Sequence, residues 1–289
     1  MAMAQSFLAS EATPAAADTA AWHVIPVPYE HTVSYGSGTA DGPQAILEAS
    51  QQLEAYLEGV GVPCRNGIHT APAPDLSGGP EDALAAIRTS VANALACNAI
   101  PVVLGGEHTV TYAAVAALAA AHKTFGIVQF DAHADLRETY EGTTWSHACV
   151  TRKIIEELNL PVCQIGVRSL CEEEIAARQA FNIHALDASA IARGRTLDGA
   201  LPEQFPDKVY ITFDVDAFDA ALMPATGTPE PGGLDWWTAV SLLQQIAGAR
   251  TIIGCDVVEL APIPTLHHCN YTAAKLAYLL MGLSAPRPQ

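Results

Sequence analysis

TFGIVQFDAHADLR, residues 124–137, changes character at one point. Up to Phe130 it is a short apolar run without polar alternation, the pattern of a strand buried on both faces. From Asp131 onward it offers Asp131, His133 and Asp135 on alternate residues, two carboxylates and an imidazole where that strand should end. Apolar runs of the same kind recur as WHVIPVP (22–28), AIPVVLGG (99–106), VCQIGV (162–167), FNIHALD (181–187), KVYITF (208–213) and TIIGCDVVE (251–259). Helical patterns separate them: PQAILEASQQLEAYL (43–57), ALAAIRTSVANALA (83–96), TVTYAAVAALAAAHK (109–123), SHACVTRKIIEEL (146–158), CEEEIAARQAF (171–181) and LDWWTAVSLLQQIAG (234–248), with TAAKLAYLLMGL (272–283) closing the series. Buried strands alternating with helices demand a parallel sheet covered on both sides. The expected fold is therefore a three-layer α/β/α sandwich around a central, mostly parallel sheet.

Composition narrows what such a sandwich could meet. Of 289 residues, 14 are Lys or Arg and 31 are Asp or Glu, a formal net charge of −17. That balance argues against nucleic-acid and anionic-membrane partners, which need a basic footprint, and suits a small cationic substrate. The longest weakly polar stretch is too short for a membrane span of about 20 residues. The seven cysteines form an odd set without a CxxC pair, as expected of reduced thiols in a cytoplasmic protein. Residues 1–20 are Ala-rich and read as a loose, flexible arm. Residues 21–289 show no composition shift, linker or repeat, and read as a single domain.

In open parallel sheets ligands bind beyond the carboxyl ends of the strands. Here PVVLGG is followed by Glu107 and His108, TFGIVQF by Asp131, His133 and Asp135, KVYITF by Asp214, Asp216 and Asp219, and IIGCDVV by Glu259. Any one of these residues alone would read as a turn or cap. Together at one sheet edge they would repel one another and resist burial unless cations neutralised them. Carboxylates with a minority of imidazole and no thiolate suit Mn²⁺, or Fe²⁺, Co²⁺ or Ni²⁺, better than structural zinc. Six candidates, His108, Asp131, His133, Asp135, Asp214 and Asp216, exceed the needs of one open catalytic ion and suffice for two.

GGEH (105–108), DAHAD (131–135), SHA around His147, DVDAFD (214–219), ATGTPEPGGL (225–234) and DVVEL (256–260) resemble, in this order, the ureohydrolases, the arginase and agmatinase family. The resemblance runs from YEHTVSYGSGTADGP (29–43) to the last helix. It implies hydrolysis of a guanidinium group to urea and an amine by two Mn²⁺ per subunit, in a trimer or hexamer. Carried over by position, it implies one manganese on His108, Asp131, Asp135 and Asp214 and the other on Asp131, His133, Asp214 and Asp216, with Asp131 and Asp214 bridging. It implies further that Asp135 hydrogen-bonds the attacking hydroxide, that His147 passes a proton to the leaving amine, and that Glu259 accepts hydrogen bonds from the guanidinium.

Two places depart from the commoner pattern: Asp219-Ala220 with the run from Met223 to Gly227, and Glu107 where Asp is usual. Neither removes a candidate ligand. Other residues read more simply. Trp236 and Trp237 should pack against the sheet, His267 and His268 should sit on a loop with Thr272 capping the last helix, and residues 172–174 should form an acidic first turn. The groups expected to hold an α-amino acid are mostly replaced here by Arg137 and residues 143–146. Glu138 and Glu141 stand ready for a cationic tail, and Arg137 is expected to pair with a neighbouring Glu. The favoured substrate is agmatine, yielding putrescine in polyamine biosynthesis. Arginine, guanidinobutyrate, aminopropylagmatine and formiminoglutamate remain alternatives, beside a one-zinc deacetylase-like enzyme and a catalytically silent metal-binding subunit.

Overall fold

A computed structural model of the chain describes residues 6–198 and 201–284. Its elements, in chain order, are β1 (Trp22–Val27), α1 (Gly42–Ser50), β2 (Ile68–Thr70), α2 (Pro80–Ala96), β3 (Ile100–Gly105), α3 (Val110–Ala121) and β4 (Gly126–Phe130). After these come α4 (Val150–Leu158), β5 (Val162–Ile165), α5 (Glu172–Ala180), β6 (His184–Leu186), α6 (Ala188–Ala192), β7 (Lys208–Asp214), α7 (Trp236–Ala249), β8 (Thr251–Val258) and α8 (His267–Ser284). The eight strands form one sheet in the order β2-β1-β3-β8-β7-β4-β5-β6, and every pairing is parallel.

Consecutive strand residues point to opposite faces, and both faces are apolar. Val24, Val102 and Leu104 join Phe130 and Phe213 in a core closed by α1, α7 and α8, while Ile25, Val27 and Val103 join a second core closed by α2, α3 and α4. This two-sided burial is why the strands read as unbroken apolar runs. No helix among the described residues is long and apolar enough to cross a membrane.

The arm differs from its expected looseness over its described part. Phe7 and Leu8 are buried in the α1/α8 core. The Leu8 N–H donates to Ser50 Oγ at 2.9 Å, and the Phe7 N–H donates to Thr70 Oγ1 at 2.9 Å. Two large apolar side chains inside an Ala-rich stretch are enough to dock it. The same contact explains why α1 stops at Ser50 rather than reaching residue 57: Ser50 turns its hydroxyl onto Leu47 O, and Gln51 spends its amide on Ser6 O. At the far end α8 starts at His267, so His267 and His268 are helical, and Thr272 bonds back to His268 O at 2.8 Å instead of capping. Trp236 packs on the core as expected, whereas Trp237 is 64% exposed.

The strand order has one consequence for chemistry. The strands followed by the singled-out polar residues, β3, β8, β7 and β4, are four consecutive neighbours at the centre of the sheet. Their carboxyl ends therefore open into one crevice.

Candidate metal centre

Each polar residue reaches that crevice for a local reason. Beyond β3, Gly106 and Glu107 hydrogen-bond through their N–H groups to Val27 O and Tyr29 O, both at 2.8 Å. The approach is so close that a Cβ on Gly106 would collide with the Tyr29 carbonyl, so only glycine fits. This turn delivers His108, whose Nε2 lies 2.8 Å from Thr212 Oγ1. Its Nδ1 consequently faces the carboxylates: Asp135 Oδ2 at 2.9 Å, Asp131 Oδ2 at 3.2 Å and Asp214 Oδ2 at 3.5 Å. Beyond β4, His133 Nδ1 stands 3.0 Å from Asp216 Oδ2 and 3.6 Å from Asp131 Oδ1.

The result is two groups able to hold a metal ion, His108 with Asp131 and Asp135, and His133 with Asp131 and Asp216. Asp131 belongs to both. Asp214 stands beside the first group but outside both sets: its Oδ1 accepts the Asp216 N–H at 2.8 Å. Despite its short distances, the buried His108 Nδ1 makes no hydrogen bond of proper geometry. An imidazole nitrogen within ion-pair distance of three carboxylates, but in hydrogen-bond geometry with none, is the arrangement a cation would complete.

The electrostatics agree. Burial, reinforced by the charge on Asp131, pushes Asp135 up to about 7. Burial followed by the charges on Asp216 and Asp131 holds Asp214 well above the usual carboxylate range. Burial would lower both His108 and His133, yet Asp131 with Asp135 keeps His108 well above its ordinary value, and Asp131 with Asp216 lifts His133 to about 12. Against burial, His108 and His133 hold Asp131 below the usual carboxylate range, while Asp135, Asp214 and the two histidines hold protons because the cluster's negative charge is buried and in excess. Divalent ions would take their place.

A further carboxylate, Glu259, sits at the same edge. It lies beyond β8 at φ +64, accepts the His108 N–H at 2.6 Å, and is raised well above its range by burial and the nearby Glu107 charge. Asp135 adopts φ +53. Left-handed backbone on non-glycine residues costs about 1–3 kcal/mol each and persists where surroundings enforce it. Asp219, by contrast, turns away from the crevice: its Oδ2 accepts the Gly232 and Gly233 N–H groups at 2.7 and 3.1 Å. That clamp holds the loop whose sequence departs from the commoner pattern.

A cavity of about 240 Å³ covers the cluster, and His147 and Glu259 both line it. His147 opens a 3-10 turn before α4, placed there by Ser146, whose side chain accepts the Ala148 N–H. Burial lowers the His147 imidazole; the Glu107 charge opposes this, and His108 and His133 add to it. A larger cavity, about 860 Å³, opens at the opposite sheet edge beside His122, Asp207 and Lys208. Among the described residues no group able to hold a metal ion lies there, so size alone does not mark the site.

The rim differs from expectation. Arg137 forms no ion pair with a neighbouring Glu; it lies 5.0 Å from the Tyr140 ring centroid and lines the cavity. Arg152 reaches Glu138 instead, at 3.7 Å. Glu138 and Glu141 are exposed, and neither lines the cavity. The carboxylate at the rim is Glu174, which accepts the N–H groups of Leu136 and Cys171 at 3.1 and 2.9 Å from the acidic first turn of α5. Sequence reading also missed Thr32 and Ser34, which touch His147, because a polar Gly-rich loop carries no periodic signal. It missed a buried amide chain as well. Gln129 donates to Asp131 Oδ2 at 2.8 Å and accepts from Thr151 at 3.0 Å and from Gln164 at 2.8 Å. Gln164 in turn accepts from Arg178 at 2.8 Å.

The chain is similar to known proteins. A model of the arginase family matches residues 20–282. The N(1)-aminopropylagmatine ureohydrolase of Synechocystis sp. is 41% identical over 287 residues, covering 96% of this chain and 93% of that protein. The agmatinase of Pyrococcus horikoshii is 34% identical, with 91% of each chain covered. The crystal structure of agmatine ureohydrolase of Thermoplasma volcanium superposes with a TM-score of 0.86 at 28% identity, over 98% of this chain and 95% of that one.

Proposed function

Since the chain belongs to the arginase family, we propose that it is a metal-dependent C–N hydrolase that cleaves the guanidinium group of a small cationic substrate to urea and an amine. The observation that carries this reading is the pair of His/Asp groups sharing Asp131 beneath a cavity lined by His147 and Glu259. His108 with Asp131 and Asp135, and His133 with Asp131 and Asp216, would hold two Mn²⁺, with Asp214 beside the first group as a further ligand. Bound ions would supply a nucleophile at neutral pH by lowering the pKa of water.

The protein groups supply the rest. Glu259, fixed by the His108 N–H, would accept hydrogen bonds from the guanidinium and orient its plane. Asp135 would accept a hydrogen bond from the attacking oxygen. As the C–N bond breaks, the electron pair leaves with nitrogen, and His147 would give that nitrogen its proton, so that an amine rather than an amide anion departs.

Agmatine is the substrate we favour, with putrescine and urea as products, and it is supported by the relatives named agmatinase and by Glu174 at the rim. N(1)-aminopropylagmatine is the second reading, favoured by the 41% identical relative. We propose a trimeric or hexameric assembly on the resemblance, which light scattering tests, and a cytoplasmic location on the free cysteines.

The deciding experiment is urea release with Mn²⁺ supplied, with kcat/KM measured for agmatine, N(1)-aminopropylagmatine, arginine and 4-guanidinobutyrate. Agmatine or its aminopropyl derivative should lead. A tenfold preference for arginine, about 1.4 kcal/mol of transition-state discrimination, would overturn the substrate and leave the chemistry standing. A lead for 4-guanidinobutyrate would make Arg137 a carboxylate anchor. No urea from any of the four would return the silent-subunit reading.

A further inference from the structure

The loop before α1 carries a feature that the reaction as described does not use. Glu107 is completely buried next to the cluster. Each of its contacts brings a donor: the His31 and Thr32 N–H groups reach Oε2 at 2.5 and 2.6 Å, and the Thr32 and Thr109 hydroxyls reach Oε1 at 2.8 and 2.7 Å. Four donors saturate one carboxylate, and two of them come from Thr32.

Thr32 Oγ1 has one hydrogen and two lone pairs. Its hydrogen is committed to Glu107 Oε1. One lone pair accepts the His147 N–H at 3.2 Å. The remaining neighbour is His147 Nδ1 at 3.4 Å, toward which the oxygen has only its second lone pair to offer. A lone pair is satisfied only by a nitrogen that carries a hydrogen, so Nδ1 must be the protonated nitrogen of the neutral imidazole. Nε2 then holds the free pair, 3.4 Å from Ser34 Oγ, which also lines the cavity.

We propose that Thr32, oriented by Glu107, is a positioning residue that fixes the tautomer of His147 and makes Nε2 the nitrogen that exchanges the catalytic proton. The inference rests on the reading of His147 as proton donor to the leaving amine. Without the hydroxyl, neutral His147 would divide between two tautomers, and the one with its hydrogen on Nε2 cannot take up the proton that it must later give. In serine proteases a buried carboxylate holds the equivalent tautomer directly. Here a hydroxyl stands between carboxylate and imidazole.

The test compares Thr32→Val, Thr32→Ser and His147→Ala, singly and combined, in the manganese-loaded enzyme, with metal content measured throughout. Thr32→Val should lower kcat by about tenfold, less than the full 10²–10⁴ that a general acid contributes, and leave KM and metal content close to wild type. Thr32→Ser should restore kcat, because it restores the hydroxyl. Thr32→Val should cost nothing further in the His147→Ala background, since the two residues act through one proton. If Thr32→Val fails to fold, Thr32→Ala runs the same cycle without the extra methyl group. Full kcat in a folded variant without the hydroxyl, or losses that multiply in the double variant, overturns the inference. Full kcat in His147→Ala overturns the reading beneath it instead, so the two failures are distinguishable.

Discussion

Gln129 offers the sharpest test of how the cluster is held in place. Its amide is fully buried and makes three hydrogen bonds: one donated to Asp131 Oδ2 and two accepted, from Thr151 and Gln164. Gln129→Leu keeps most of the shape and deletes all three. The bond to Asp131 has a charged acceptor, a class contributing about 1.5–3 kcal/mol, and the Gln164 N–H left without its acceptor costs about 1–3 kcal/mol more. The Thr151 hydroxyl can rotate and is left out. The expected destabilisation is roughly 2.5–6 kcal/mol, a large share of the 5–15 kcal/mol typical of a folded protein. Asp131 belongs to both metal groups, so its loss of orientation should also weaken Mn²⁺ binding by about 10–100-fold, as for other groups that orient ligands. Denaturant unfolding with and without chelator reads the first quantity, and competition with a metallochromic indicator reads the second. Unfolding free energies within about 1 kcal/mol of wild type, a size ordinary for point variants, together with unchanged metal affinity would refute the reasoning. Gln129→Glu sharpens it further: a carboxylate beside Asp131 Oδ2 should hurt the metal-free protein more than the metal-loaded one.

Other perturbations address other parts of the site. Asp131→Ala should deplete both ions and Asp216→Ala only one; equal metal contents by atomic absorption would rule out the sharing of Asp131. Metal uptake should weaken as pH falls below about 7, because Asp135, raised to about 7 in the metal-free protein, then keeps a proton that the ion must displace. The sign is that of a carboxylate whose folded pKa is raised: protonated below it and free to bind above it. Calorimetry across that range should show proton release on binding, and an affinity independent of pH would contradict it. Gly106→Ala should fail to give soluble, metal-competent protein, since its methyl group meets the Tyr29 carbonyl; a wild-type melting temperature would show that the β1 and β3 ends can separate.

Much of the architecture is legible in the runs themselves. A strand such as TFGIVQF, with no regular polar alternation, has no solvent face to give away, so a two-sided parallel sheet follows from the pattern alone. Asp131, His133 and Asp135 are legible for the same reason: polar groups beyond a buried strand must go to its open end. What escapes is information carried by partners far apart in the chain. Leu8 looks like part of a loose arm, yet its N–H is held by the Ser50 hydroxyl. Arg137 and a neighbouring Glu look like a pair by adjacency, but Arg152 is the cation that reaches Glu138. Thr32 could not be read as a neighbour of His147, from which it is separated by 115 positions. The strand β2, three residues long, was hidden by its brevity.

The place of β8 has a consequence for how the molecule comes into being. Last of the eight strands in the chain, it lies between β3 and β7, near the middle of the sheet. Without β8 the pairings of the sheet fall into two sets, β2-β1-β3 and β7-β4-β5-β6, each with an inner edge of unpaired N–H and carbonyl groups. Pairing with both neighbours at once makes closure cooperative, and it brings His108 on one half within reach of Asp131, Asp135 and Asp214 on the other. A divalent ion supplied during synthesis would thus find no complete nest in a nascent chain that ends before Thr251. Such a fragment would be exposed to edge-to-edge aggregation at the stage when it has no ion to steady it.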